Sequence, residues 1–309
     1  MPIIERELTG FQLPSDAAKA GSKVKSFSLI SSPEAVFKGF GFTLSFPLAN
    51  AYRVLLTGPN RPPPPHDNVV LPYDSLPFEI TSLDEESKCA VLRFPKNGPD
   101  HFDGANRTRE VRISWVESIE VSIWESIGDE AMTMLLSDIH TRSYALTEHG
   151  FMRHWSIDRT ALHLGLGEKA APIDLTYRSF TFHGTDAAYY DAYNSDPLYK
   201  HTPYLIVTPR PKEGIVTPST YAIYHPTNAN VTWDLNRHND EPWTKFKTYT
   251  QDWGGLEEWV LIGKGVKEVT RTFAEVVGRP KLIGRDWLGY LASGMGLGES
   301  VRHQYRSSR

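Results

Sequence analysis

The sequence predicts an all-β protein: a large antiparallel β-sandwich with one short C-terminal helix and one stray strand beyond it. Three observations carry this. Short runs of β-branched and aromatic residues recur at intervals of roughly 8–12 residues with Pro, Gly, Asn or Asp between them. Helical periodicity is scarce before residue 265. The composition is that of a globular chain, with 40% hydrophobic residues in 309, enough to bury a substantial core.

Taken in order, the first strands are Ser26 to Ile30, Phe40 to Phe46, Tyr52 to Leu56, Val69 to Leu71, Phe78 to Thr81, Cys89 to Phe94, Val111 to Trp115 and Ile119 to Trp124. The run Pro62 to Pro65 lacks backbone donors and has fixed φ, so it reads as a stiff surface connection. Longer, more aromatic strands follow: Tyr177 to Phe182, Tyr204 to Thr208, Thr220 to Tyr224, Asn230 to Leu235, Phe246 to Thr250 and Trp259 to Ile262. Thr227 to Asn230 and Gly254-Gly255 are expected as hairpin turns. In Val266 to Val277 the residues Val269, Phe273, Val276 and Val277 share a helical face, with Gly278 as cap and Pro280 beyond. The apolar run Trp287 to Ser293 reads as a strand buried on both faces. The expected domains are residues 1–280, the sandwich, and 281–309.

Charge and cysteine content narrow the partners. Thirty-three Lys and Arg against 37 Asp and Glu leave a net charge of −4, without the basic footprint of a nucleic-acid binder. No apolar run approaches the ~18 residues that span a bilayer, and no secretory signal is visible, so the expected location is the cytoplasm. A lone Cys89 suits a reducing compartment, and there the sequons at Asn106 and Asn230 carry no meaning. Cys89 itself, in Lys88 to Leu92, reads as a strand residue entering the core.

Familiar catalytic signatures are missing: no G-x-S-x-G elbow, no H-E-x-x-H and no C-x-x-C. No cofactor or metal is expected, and no catalytic residue is assigned. Asp84-Glu85-Glu86 reads as a solvated turn, and Glu257-Glu258, neighbours on a strand, should point to opposite faces. The segment from Tyr177 to Tyr204 differs, with six of the 14 tyrosines beside Asp186, Asp191, Asn194, Asp196 and His201. Aromatic platforms beside carboxylates suit a sugar; a tyrosine core with polar loops is the equal alternative.

Here a family resemblance enters. Leu164-Gly165-Leu166-Gly167-Glu168, the stretch Tyr177 to Tyr190 with His183-Gly184-Thr185-Asp186, Asp196-Pro197-Leu198-Tyr199-Lys200-His201-Thr202-Pro203-Tyr204, Tyr249 to Glu257 and Val277-Gly278-Arg279-Pro280 resemble the N-terminal part of glycoside hydrolase family 31, the α-glucosidase and α-xylosidase family, and most of all its fungal members. The resemblance implies a galactose-mutarotase-like sandwich, then a (β/α)8 catalytic barrel. It also implies that a loop from the sandwich shapes the sugar pocket. Thr185 and Asp186 match that loop, His183 and Gly184 depart from it, and Tyr189 and Tyr190 complete the expected substrate-binding set. The family's catalytic W-x-D-M-N-E motif is absent, and the residues after Pro280 fall far short of the about 250 a barrel takes. The chain is therefore expected to be a truncated N-terminal fragment, inactive alone. Its substrate would be an α-linked glucoside or xyloside in the full-length enzyme. A carbohydrate-binding module is the alternative, and self-association through an uncovered barrel-facing surface is a further expectation.

Overall fold

The computed structural model describes residues 6–64, 70–95, 107–140, 142–186, 189–211, 217–237 and 246–289. Its first strands are β1 (Arg6–Glu7), β2 (Phe11–Gln12), β3 (Lys23–Val24), β4 (Ser26–Ser31), β5 (Gly41–Leu48), β6 (Ala51–Thr57) and β7 (Phe78–Asp84). Then come β8 (Cys89–Arg93), β9 (Arg107–Ser114), β10 (Glu120–Ile127), β11 (Thr133–Ser137), β12 (Tyr144–Leu146), β13 (Phe151–Ser156) and β14 (Leu162–Gly165). The last are β15 (Ser179–Phe182), β16 (Tyr204–Thr208), β17 (Thr220–Tyr224), β18 (Val231–Asp234), β19 (Phe246–Gln251) and β20 (Leu256–Gly263), followed by helix α1 (Val266–Val277).

They form three antiparallel sheets. The largest runs β14-β16-β17-β20-β6-β5-β4-β2; the others run β1-β12-β13-β19-β18-β15 and β11-β10-β9-β8-β7-β3. One core lies between the large sheet and the two smaller ones. Phe42 of β5 meets Tyr144 of β12 at 6.0 Å, while Phe46, also on β5, meets Phe78 of β7 at 4.8 Å. The large sheet is covered on its other face as well, where Trp259, Leu261, Tyr204 and Tyr224 pack with Val269 and Val276 of α1. Strand β20 is therefore buried at every residue. Its alternation sends Val260 and Ile262 inward and Trp259 and Leu261 toward the helix, each such side chain contributing about 2 kcal/mol on burial.

Buried ions join the sheets. Glu258 of β20 accepts from Arg153 of β13 at 3.0 and 3.2 Å. Arg153 Nη1 also lies 2.8 Å from Asp138, whose other oxygen accepts the Val121 N–H. Glu125 of β10 accepts from Arg107 and Arg109, each at 2.8 Å, and from the Ser219 hydroxyl at 2.6 Å, binding the β10 sheet to the start of β17. On the opposite face of β20, Glu257 accepts from Arg53 at 2.8 and 3.0 Å and from the Trp259 indole at 2.7 Å. The two neighbouring carboxylates do point to opposite faces. Asp84 caps an exposed turn through the Glu86 and Ser87 N–H groups.

The helix has the expected bounds, and Gly278 takes φ +94°. Four expectations change. The turns Thr227 to Asn230 and Gly254-Gly255 are not hairpins: each carries the chain between the large sheet and the β13 sheet. Gly255 donates to Pro62 O at 2.7 Å, where an added Cβ would stand 2.6 Å from that oxygen, so close approach rather than a tight hairpin demands the glycine. Val70 and Leu71 form no strand; the Leu71 N–H bonds the last turn of α1 at Val276 O. The fourth is the run from Trp287, where Arg285–Leu288 is a 3-10 turn with Trp287 and Leu288 69% and 73% exposed. A strand covered on both faces needs paired neighbours, and no described strand lies beyond Gly278; Tyr290 to Ser293 lie outside the described residues. Cys89 opens β8, half-buried, with its sulfur 3.2 Å from the Ser87 hydroxyl.

The chain separates into two compact units, Met1–Val277 and Gly278–Arg309.

Candidate functional site

The tyrosine-rich segment forms an arm that leaves the core after β15 and returns at Leu198, which is buried. Its two ends are fastened together. Asp196 accepts the Thr181 N–H at 2.6 Å and its hydroxyl at 2.7 Å, and the Lys169 ammonium at 2.9 Å. Lys169 also donates to Thr181 O at 2.7 Å and lies 3.8 Å over the Phe182 ring. Its side chain is 2% exposed, and burial lowers its pKa against the opposing pull of Asp196. Beside this clamp the His201 Nε2–H donates to Ala229 O at 2.9 Å, and burial lowers that imidazole below its ordinary pKa.

Between the fastened ends the described side chains face solvent, with Ser195 half-buried. Thr185, Asp186, Tyr189 and Tyr190 are all exposed, Tyr189 entirely so. The Thr185 N–H turns back to His183 O at 2.8 Å. Asp186 accepts the phenol of Tyr199, and that bond raises the phenol above its usual pKa. Asp191 closes a neighbouring turn through the Tyr193 N–H at 2.9 Å and the Asn194 amide at 3.0 Å, which hold its carboxyl below the ordinary range. Tyr193 and Tyr199 are exposed too, whereas Tyr204 is buried under Phe273 of α1, their stacked rings 4.1 Å apart. Of the two readings of the segment, the arm is a solvent-facing set of aromatics and carboxylates, not a tyrosine core.

The structure thus puts all four sequence-derived site residues on one arm, and adds Tyr199, Asp196 and Lys169 to them. Tyr199 and Asp196 fell in the resembling stretch without an assigned role. Lys169 lies outside it, and nothing in the sequence separates a clamp lysine from a surface one.

The four buried carboxylates among the described residues are differently placed. Glu125, Glu257 and Glu258 lie inside the fold against arginines, and burial pushes Asp138 up to about 7 despite the adjoining Arg153. No three His, Cys, Asp or Glu side chains among the described residues are grouped to hold a metal ion. No described helix is long and apolar enough to cross a membrane.

Solved structures share this fold. A GH31 dextranase of Flavobacterium johnsoniae, complexed with glucose, matches 89% of this chain at TM-score 0.63 and 14% identity, over 29% of its own length. The glucosidase II α subunit matches 88% at TM-score 0.57 and 15% identity, over 34% of its length. The cycloalternan-forming enzyme of Listeria monocytogenes, in complex with a pentasaccharide substrate, matches 86% at TM-score 0.58 and 12% identity, over 22% of its length. The chain spans about a third or less of these proteins. No curated protein sequence matches it.

The class is therefore the large β-sandwich that these proteins carry as one portion of a longer polypeptide. Its family follows from sequence: the family model for the glycosyl hydrolase 31 N-terminal galactose mutarotase-like domain matches residues 65–234, more than half the chain, and the chain belongs to that family. The match reaches well upstream of the motifs that first suggested it.

Proposed function

We propose that the chain is the scaffold and pocket arm of a retaining α-glycosidase acting on an α-linked glucoside or xyloside, with residues 281–309 as the start of the catalytic barrel. In such an enzyme one carboxylate forms a glycosyl-enzyme intermediate while another serves as acid and then base. Neither belongs to this sequence, whose interior carboxylates are committed to arginines. The arm is its contribution: Asp186 and Thr185 for sugar hydroxyls, Tyr189 and Tyr190 for apolar sugar faces.

The observation that carries this reading is the clamp. Lys169, Asp196 and Thr181 fasten an otherwise exposed arm to a rigid sheet, which suits groups that must wait in place for a ligand. The purified chain should show no turnover of aryl α-glucosides or α-xylosides. Hydrolysis abolished by an active-site glycosidase inhibitor would defeat the proposal.

The exposure of Tyr189, Tyr190, Tyr193 and Tyr199 favours a second reading, a carbohydrate-binding module. Calorimetric titration with glucose, xylose and maltose separates the two: saturable binding by this chain supports the module, and negligible heat supports an arm awaiting its opposite wall. Exposed Leu282, Trp287 and Leu288 supply apolar surface for self-association, which size-exclusion chromatography measures. The lone Cys89 suits a cytoplasmic setting for either reading.

A further inference from the structure

Inside the sandwich lies a group of buried polar atoms that no protein group satisfies. His225 follows β17 and is fully buried. Its Nδ1 lies 2.9 Å from the Glu257 carbonyl, which can only accept, so Nδ1 carries the hydrogen and Nε2 presents a bare lone pair. Burial, with the Arg153 charge nearby and against the opposing pull of the Glu257 carbonyl, drives the imidazole pKa down to about 3. Nε2 has no partner in the protein, and neither do the indole N–H groups of Trp155 and Trp233, both buried completely.

These three groups belong to one cluster of rings. The His225 centroid lies 6.1 Å from Trp155 and 5.7 Å from Trp233, and the two indoles stack at 5.4 Å with 12° between their planes. Tyr249 covers one face of the imidazole at 3.8 Å, and its hydroxyl is already spent on Gln251. The Arg153 guanidinium covers Trp155 at 4.7 Å.

The chemistry of the three atoms selects their ligand. Indole N–H groups only donate, which makes a cation a poor occupant. A bare imidazole lone pair only accepts, which makes an anion equally poor. A molecule that accepts twice and donates once fits all three, and water does this within its tetrahedral geometry. Buried waters take such positions, with about three bonds to groups otherwise left unsatisfied. Three orphaned groups in so small a volume would consume a large share of a domain's net stability, whereas holding one water costs little.

We propose that one water molecule, sealed inside the sandwich, accepts from the Trp155 and Trp233 indoles and donates to His225 Nε2. It fixes the chain where it leaves the large sheet. From His225 the backbone passes through Thr227, whose hydroxyl accepts the Ala229 N–H at 3.1 Å, to Ala229, whose carbonyl holds His201 at the foot of the arm. The water is thus a structural ligand linked through this short backbone path to the foot of the arm, and it stands whether or not the arm binds sugar.

Nuclear magnetic resonance on the full chain tests it. The indole Hε1 protons of Trp155 and Trp233, assigned through their own backbones, should both cross-relax with a long-lived water. Oxygen-17 relaxation dispersion should lose the amplitude of one such water in Trp233→Phe. Indole protons that show no cross-relaxation with water and are shifted upfield would mean that their N–H groups rest on ring faces, and would overturn the proposal. The unsubstituted spectrum decides the matter even if Trp233→Phe fails to fold.

Discussion

The interior around Arg153 and the arm around Asp186 are built from the same residue types, carboxylates, tyrosines and histidines, and do opposite things with them. Inside, Asp138 and Glu258 share one guanidinium, which lies 3.8 Å over the Tyr144 ring, and Glu125 gathers two arginines and a serine. Every such charge has a fixed partner and no spare capacity for a ligand. On the arm, the Asp186 carboxylate meets a single phenol and the tyrosines face water. Desolvation makes the difference. A buried carboxylate must be neutralised by its surroundings to exist at all, while an exposed one keeps its hydrogen-bonding capacity for something else.

The contrast can be broken first at its buried end. Arg153→Met should strand Asp138 and Glu258 together and destabilise the fold by about 3–5 kcal/mol, read from urea unfolding with tryptophan fluorescence. Next comes acid. His163 and His225 are held by burial at about 3 and so bind no proton that the unfolded chain, at about 6.5, would bind. Their contribution is complete above pH 6.5 and is lost as pH falls toward 3. Asp138, raised to about 7 from 3.8, works in the other direction, its share present below 3.8 and lost as pH rises through 7. With two groups against one, stability should fall by about 1 kcal/mol per pH unit as pH drops from 6 to 4, measured by chemical denaturation across that range. Above neutrality Lys247, lowered to about 7 by burial, adds stability as pH climbs toward 10.5.

At the exposed end the effects shrink. Asp196→Asn should cost about 1–2 kcal/mol and speed amide exchange along residues 183–199 while β16 and β17 stay protected, followed by hydrogen exchange. Tyr199→Phe should leave the unfolding midpoint unchanged. Its phenol titration, lying above the ordinary tyrosine range, should vanish from the ultraviolet pH profile. A large loss from Tyr199→Phe would place the arm with the interior and dissolve the distinction.

Much of the fold was legible because one-sided burial writes itself as alternation. Strands β4, β6 and β10 follow it closely, and α1 shows its face through Val269, Phe273 and Val276. Strand β13 escaped because Arg153 and His154 interrupt the apolar pattern, and their buried partners come from distant segments. The passages at 227–230 and 254–255 were recognisable as turns, yet local chemistry does not say whether a turn rejoins its own sheet or crosses to another. On the arm, the residue types and their density were visible in sequence. The Lys169 to Asp196 clamp spans 27 positions, and no local pattern encodes it.

Strand β20 carries acids back to back, Glu257 toward the helix side and Glu258 toward the interior. Were this strand threaded one residue out of step, Glu257 would turn to Arg153, but Leu256 would stand before Arg53 and Trp259 would be forced into the space shaped for Val260. A mismatch on either surface is unaffordable, so the paired acids act as a two-sided key that admits a single alignment and rejects near misses during assembly.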